Sequence, residues 1–199
     1  MTREELDNLI RRTDPVDFCS NYLLDDSAWI FNPESGVPIR GDYNKFRQHM
    51  AAAINVSRED IFIVGSAKYG FSLTPNREKY LSSFHADSDL DVLIISRELF
   101  TGVWDAFLSA YYSGYNHILD RHRNEIFRRF FVLMSEERYS GSIYLRSICK
   151  SVDSMRKSAG VAFGISSPIN YRIYASKDDA VQYHAMGMEK IQRGENGFN

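Results

Sequence analysis

Two short apolar runs, separated by a polar and turn-rich stretch, constrain this chain more than any other feature. Ile61-Phe62-Ile63-Val64 stops at Gly65, and Leu90-Asp91-Val92-Leu93-Ile94-Ile95 follows Ser88-Asp89. Runs this short, rich in β-branched residues and bounded by Gly, Ser and Asp, predict buried strands rather than helix segments. Ile169-Asn170-Tyr171-Arg172-Ile173-Tyr174 alternates around β-formers and predicts a further strand.

Most of the remaining chain carries helical spacing. Thr2 with Glu5, ahead of Leu6, Leu9 and Ile10, opens a capped amphipathic helix. Residues 14–31 predict a second helical segment. Phe46, Met50, Ala53 and Ile54 predict another, as do Leu99, Val103, Phe107 and Ala110, and residues 118–134 and 143–155 give two more. Ser176 with Asp179 caps a last helix through Met186, Met188 and Ile191, and the tail from Gly194 is expected to fray. The expected fold class is α+β, equally describable as α/β, in one domain. It divides into an N-terminal helical extension (1–42), a core (43–176), and a C-terminal helix and tail (177–199). At 199 residues such a unit buries roughly 70% of its unfolded surface without staples.

Charge narrows the partners. Twenty-four Lys and Arg against 26 Asp and Glu give a net charge of -2, which argues against a protein that coats polyanions. Nucleic acid stays a candidate partner only through a local patch. The densest patch is Arg121, His122, Arg123, Arg128 and Arg129, interleaved with Phe127 and Phe130. It reads either as a nucleic-acid groove or, preferably, as a solvated helix face with Glu125 pairing to Arg129. Arg146, Lys150 and Lys157 fall on one helical face, which could reach a triphosphate or, as such runs usually do, lie in solvent. No apolar run approaches the ~20 residues of a membrane span. The charged start predicts no secretory signal. Cys19 and Cys149, without CxxC spacing, exclude a disulfide framework and a thiolate zinc site, and fit a cytoplasmic protein.

The chemistry-bearing residues cluster around the two apolar runs. Asp89 and Asp91 stand two apart at a strand start, so both carboxylates leave one face. Two adjacent carboxylates repel each other, and a hard divalent cation such as Mg²⁺ (or Mn²⁺), sharing substrate phosphates, relieves that repulsion. The alternative is a solvated pair at the strand start. Gly65-Ser66 breaks a buried strand into a turn, where the backbone can approach a phosphate and Ser66 can donate to it. An ordinary strand-to-helix turn reads the same way. Lys68 could neutralise a triphosphate or lie in solvent, and Ser72 could be a second phosphate donor or a helix-terminal serine. His85 is near the acids in sequence and reads best as an exposed loop residue.

The combination of strand, Gly-Ser, loop and Asp-Leu-Asp on the next strand resembles the DNA polymerase beta-like nucleotidyltransferase superfamily. The longer match, GSAKYGFSL then SDLDV, is similar to small bacterial stand-alone members. The resemblance implies a nucleotidyltransferase-like mixed sheet flanked by helices, Asp89 and Asp91 as catalytic metal ligands, and Gly65 and Ser66 on the triphosphate of a nucleoside triphosphate. The implied reaction moves a nucleoside monophosphate to an acceptor hydroxyl and releases pyrophosphate. Two departures stand out. The 22 residues from 67 to 88 form a longer connection than in minimal members. The family's third carboxylate, on a later strand, has no counterpart in Ile169–Tyr174, where Asn170 or Arg172 takes its face. Asp178 and Asp179 belong to the helix start, and Glu136 and Glu137 would serve only on a strand. The missing acid motivates an alternative, a nucleotide- or nucleic-acid-binding partner protein on the same fold.

Overall fold

The computed structural model describes residues 1–76, 78–85 and 87–194. Arg77, Ala86 and the tail beyond Gly194 lie outside the described residues. In chain order the elements are α1 (Arg3–Arg12), α2 (Pro15–Phe18), α3 (Tyr43–Ile54), β1 (Ile61–Val64), α4 (Ser66–Tyr69), β2 (Leu90–Ile95), α5 (Arg97–Tyr112), α6 (His117–Phe127), β3 (Phe130–Phe131), α7 (Ile143–Phe163), β4 (Ile169–Tyr174) and α8 (Lys177–Gln192). The described residues form one mixed four-stranded sheet in the order β1-β2-β4-β3. β1 runs antiparallel to β2, β2 parallel to β4, and β3 antiparallel to β4.

The two-residue alternation of the strands sorts their side chains into two cores. Ile61, Ile63, Leu90, Val92, Ile94, Ile169, Tyr171 and Ile173 pack with residues of α3, α5 and α7. Phe62, Val64, Leu93, Ile95 and Tyr174 face the other way, onto Leu6 and Ile10 of α1 and Ala180, Ala185 and Met188 of α8. The N-terminal segment and the C-terminal helix are therefore built into the molecule as one shared layer. Gln192 of α8 ties them together, its Nε2 donating to the carbonyls of Ile10 and Thr13 at 2.7 Å each.

Local chemistry sets most element ends. Thr2 accepts from the Glu5 amide while Glu5 accepts from Thr2, completing the expected capping box. Ser96, Ser142 and Ser176 cap α5, α7 and α8 through one half of that arrangement, each side chain accepting from the amide three residues on. The expected capping box at Ser176 and Asp179 therefore lacks its return bond to the Ser176 amide.

Two expected helices differ. Residues 14–31 hold only the single turn of α2, a π turn over Cys19–Leu23 and a 3₁₀ turn over Trp29–Phe31. Asp25 captures the Ser27 amide and hydroxyl, which offers the backbone a turn in place of a helix. Residues 118–134 split into α6 and β3, because Arg129 adopts a left-handed φ of 58° and its guanidinium pairs with Asp179 at 2.9 Å.

Among the described residues no helix is long and apolar enough to cross a membrane. Cys19 and Cys149 are buried free thiols.

Candidate functional site

Asp91 lies on the α1–α8 face of the sheet, in line with Leu93 and Ile95, where the apolar layer stops. There a cleft of about 670 Å³ opens. Its walls come from the Gly65-Ser66 turn, the connection between α4 and β2, and one side of α8. Asp89 and Asp91 both line it. So do Ser72, Arg128 and Arg172, and from α8 Tyr183, His184 and Gly187.

The register Val64↔Asp91 brings the turn against the acid. Gly65 adopts φ 69° and ψ −149°, conformations essentially restricted to glycine. A Cβ built on it would stand 3.0 Å from Asp91 Oδ2. The missing side chain is thus what lets the carboxylate lie directly against the turn.

Burial is the main reason Asp91 holds its proton more tightly than an ordinary carboxyl, and the negative charge of Asp89 adds to it. Arg172 and a hydrogen bond from Asn170 oppose the shift without cancelling it. An added cation would relieve both causes. Two hard oxygen donors facing open space suit Mg²⁺, which keeps several water or phosphate ligands, so the donor set fits that ion. No third His, Cys, Asp or Glu joins them in a metal-holding cluster among the described residues. Asn170 stands in register with Asp91 on β4, on the face where the resemblance implies a third acid.

Lys68 goes elsewhere. On α4, Lys68 is about 200° around the helix from Ser66, so a turn that shows Ser66 to the cleft drives Lys68 inward. Its ammonium is buried and bonded to the Asp25 carboxylate and the Ser27 carbonyl. Burial lowers the Lys68 pKa and the Asp25 hydrogen bond and charge partly restore it, a structural pairing rather than a phosphate contact. Ser72 reaches the cleft, but its hydroxyl donates to Thr74 Oγ1 at 3.1 Å and accepts from the Thr74 amide.

The described residues of the long connection fold back on themselves. Phe71 bridges to Ser83, the Ser72 amide donates to the Ser82 carbonyl at 2.9 Å and the Ser72 carbonyl accepts from the Leu81 amide at 2.8 Å, and the Phe84 amide returns to the Gly70 carbonyl at 2.8 Å. Tyr80 donates to Asp7 of α1 at 2.7 Å, fixing the connection to the helical layer. His85 is exposed on the cleft wall.

The basic cluster disperses. His122 is fully buried between Glu125 and Tyr139, at 2.8 and 2.9 Å, and stacks on Phe107. Glu125 pairs with Arg121 and His122, not with Arg129. Of the five, Arg128 lines the cleft. On α7, Lys150 pairs with Glu136, which sits in a 3₁₀ turn rather than a strand.

Sequence reasoning missed Tyr183, His184 and Gly187 as wall residues. The signal was present: Ala180, Val181, Ala185, Met188 and Ile191 mark the core stripe of α8, and Tyr183 and Gly187 flank it. No family model matches the chain, and neither a curated protein nor a solved structure matches it.

Proposed function

We propose that the chain is a Mg²⁺-dependent nucleotidyltransferase with a nucleotidyltransferase-like fold. The observation that carries the reading is the contact between Asp91 and Gly65: Asp91 on β2, Asp89 just ahead of that strand, and a Gly-Ser turn share one cleft. Asp89 and Asp91 would hold the ion, and Gly65 and Ser66 would receive the triphosphate. Bound Mg²⁺ supplies neutralisation of phosphate charge. The acceptor hydroxyl attacks the α-phosphorus, a new P–O bond forms, the bond to the bridging oxygen breaks, and pyrophosphate leaves. With Asn170 opposite Asp91, the hydroxyl proton passes to solvent or to a substrate phosphate. The chain's own contribution is positioning on a rigid strand, the main source of rate in such transfers.

The test is transfer of α-labelled nucleoside triphosphates in Mg²⁺ or Mn²⁺ by the wild type and by Asp89→Asn and Asp91→Asn. Both variants should lose more than the ~10–100-fold typical of an outer-shell metal contact. Unaltered transfer in both refutes the assignment. Asn170 favours one second reading, a nucleotide-binding partner without turnover. Binding of Mg²⁺ and a triphosphate by calorimetry, with no pyrophosphate released, identifies that case.

A further inference from the structure

A side pocket of about 240 Å³ adjoins the cleft, and Val64, Asp91 and Arg172 belong to the walls of both. Its other polar lining is Arg156 and Asn170. The two arginines come from opposite layers. Arg172 lies on the α1–α8 face of β4, while α7, which carries Arg156, packs against the other face. Each guanidinium is held over aromatic rings, Arg172 at 5.3 Å from Tyr183 and 5.8 Å from Phe130, and Arg156 at 5.9 Å from Tyr171.

Neither charge is used up. Among the described residues no carboxylate lies within 4.0 Å of the Arg172 guanidinium, although Asp91 is near enough to feel it. Arg156 makes one long, partly exposed pair through Nη1 with Asp153, at 3.4 Å. Its Nε is buried and has no hydrogen-bond partner. An orphaned buried donor is destabilising and calls for a partner. The pocket is smaller than the ~300–1,000 Å³ of sites that enclose a drug-sized molecule, so it suits one group of a larger ligand. Two arginines against the single carboxylate of Asp91 leave the pocket's lining net positive, which favours an anionic group such as a phosphate and disfavours a cationic ligand.

We propose that this pocket is a phosphate-monoester subsite, in which Arg156 and Arg172 hold a terminal phosphate of the acceptor while its body lies in the adjoining cleft. The word acceptor rests on the nucleotidyltransferase reading, whereas phosphate binding does not. The acceptor class is then a phosphorylated hydroxyl compound, such as a nucleoside monophosphate or a 5′-phosphorylated oligonucleotide.

The experiment is calorimetry on the full chain, without Mg²⁺ or triphosphate, using inorganic phosphate, 5′-AMP and a short oligonucleotide lacking terminal phosphate. Saturable binding of phosphate and 5′-AMP is expected, with the unphosphorylated oligonucleotide binding at least tenfold more weakly. Arg156→Gln and Arg172→Gln should each weaken phosphate about tenfold or more, the value of one charge-assisted contact. Arg156→Lys and Arg172→Lys, which keep the charge and guard against misfolding, should recover part of that loss. Asp91→Asn should leave phosphate binding intact or tighter while abolishing transfer. Absence of saturable phosphate binding overturns the subsite, as does binding indifferent to both arginines or equal affinity for the unphosphorylated oligonucleotide. Transfer that survives Asp89→Asn and Asp91→Asn overturns the enzymatic reading alone.

Discussion

Gly65 combines a positive φ with an extended ψ and has the Asp91 carboxylate against its Cα. Gly65→Ala therefore adds backbone strain and a close contact at once. It should cost about 1–3 kcal/mol of stability, read as a lower denaturant midpoint, and displace Asp91 enough to suppress Mg²⁺-dependent transfer. Unchanged stability would show that the turn relaxes freely. His184 gives a second test at the same scale. Burial in the cleft wall, assisted by Arg172, pushes its pKa from 6.5 down to about 3. The unfolded chain takes up a proton below pH 6.5 that the folded chain refuses, so this contribution to stability is complete above pH 6.5 and falls as the pH drops toward 3. An NMR titration of the ring should show it neutral well below pH 6.5, and His184→Gln should flatten the acid loss of stability. A ring that titrates near 6.5 contradicts this. The inward turn of Lys68 belongs here too: its sequence neighbours are those of a phosphate lysine, but Asp25, 43 positions earlier, decides its direction.

At the scale of elements, β1, β2 and β4 were legible because their buried runs are short, branched and clearly bounded, whereas the two-residue β3 was read as helix. The register that sets Asn170 beside Asp91 was not, since pairing between β2 and β4 joins residues far apart in the chain. That register yields a prediction. Asn170→Asp adds a carboxylate beside Asp91 and should tighten Mg²⁺ binding in calorimetry while lowering the melting temperature of the metal-free protein through like-charge repulsion. A loss of Mg²⁺ affinity would mean that Asn170 points away from the ion. The end of α6 was illegible for a different reason. Phe127-Arg128-Arg129-Phe130 contains neither Gly nor Pro, and the helix stops because Arg129 turns left-handed to reach Asp179. A non-glycine residue there carries no sequence mark.

At the scale of the whole molecule, the cleft exists because one sheet face is only partly covered. α1, the turns after it and α8 cover Leu93 and Ile95 and leave Asp91 at the rim. Leu6, Ile10, Phe18, Cys19 and Leu23 are all essentially buried in that layer. Each such side chain contributes about 1.5–3 kcal/mol, so a chain beginning at residue 25 loses an amount comparable to a typical domain's whole net stability. It should fail to fold, with broad, undispersed NMR resonances. A well-folded truncated protein would show that the layer is an appendage.

By itself the sequence determined β1, β2 and β4, the capped helices and the order of a Gly-Ser turn ahead of two acids, because these rest on patterns among residues close in the chain. Only the tertiary structure decided that Lys68 turns inward, that Arg121, His122 and Arg129 disperse into separate pairings, and that Arg156 and Arg172 meet at one pocket. Each of those outcomes depends on which distant side chain supplies a counter-charge or leaves a donor unpaired, and burial sets that only once the layers have packed.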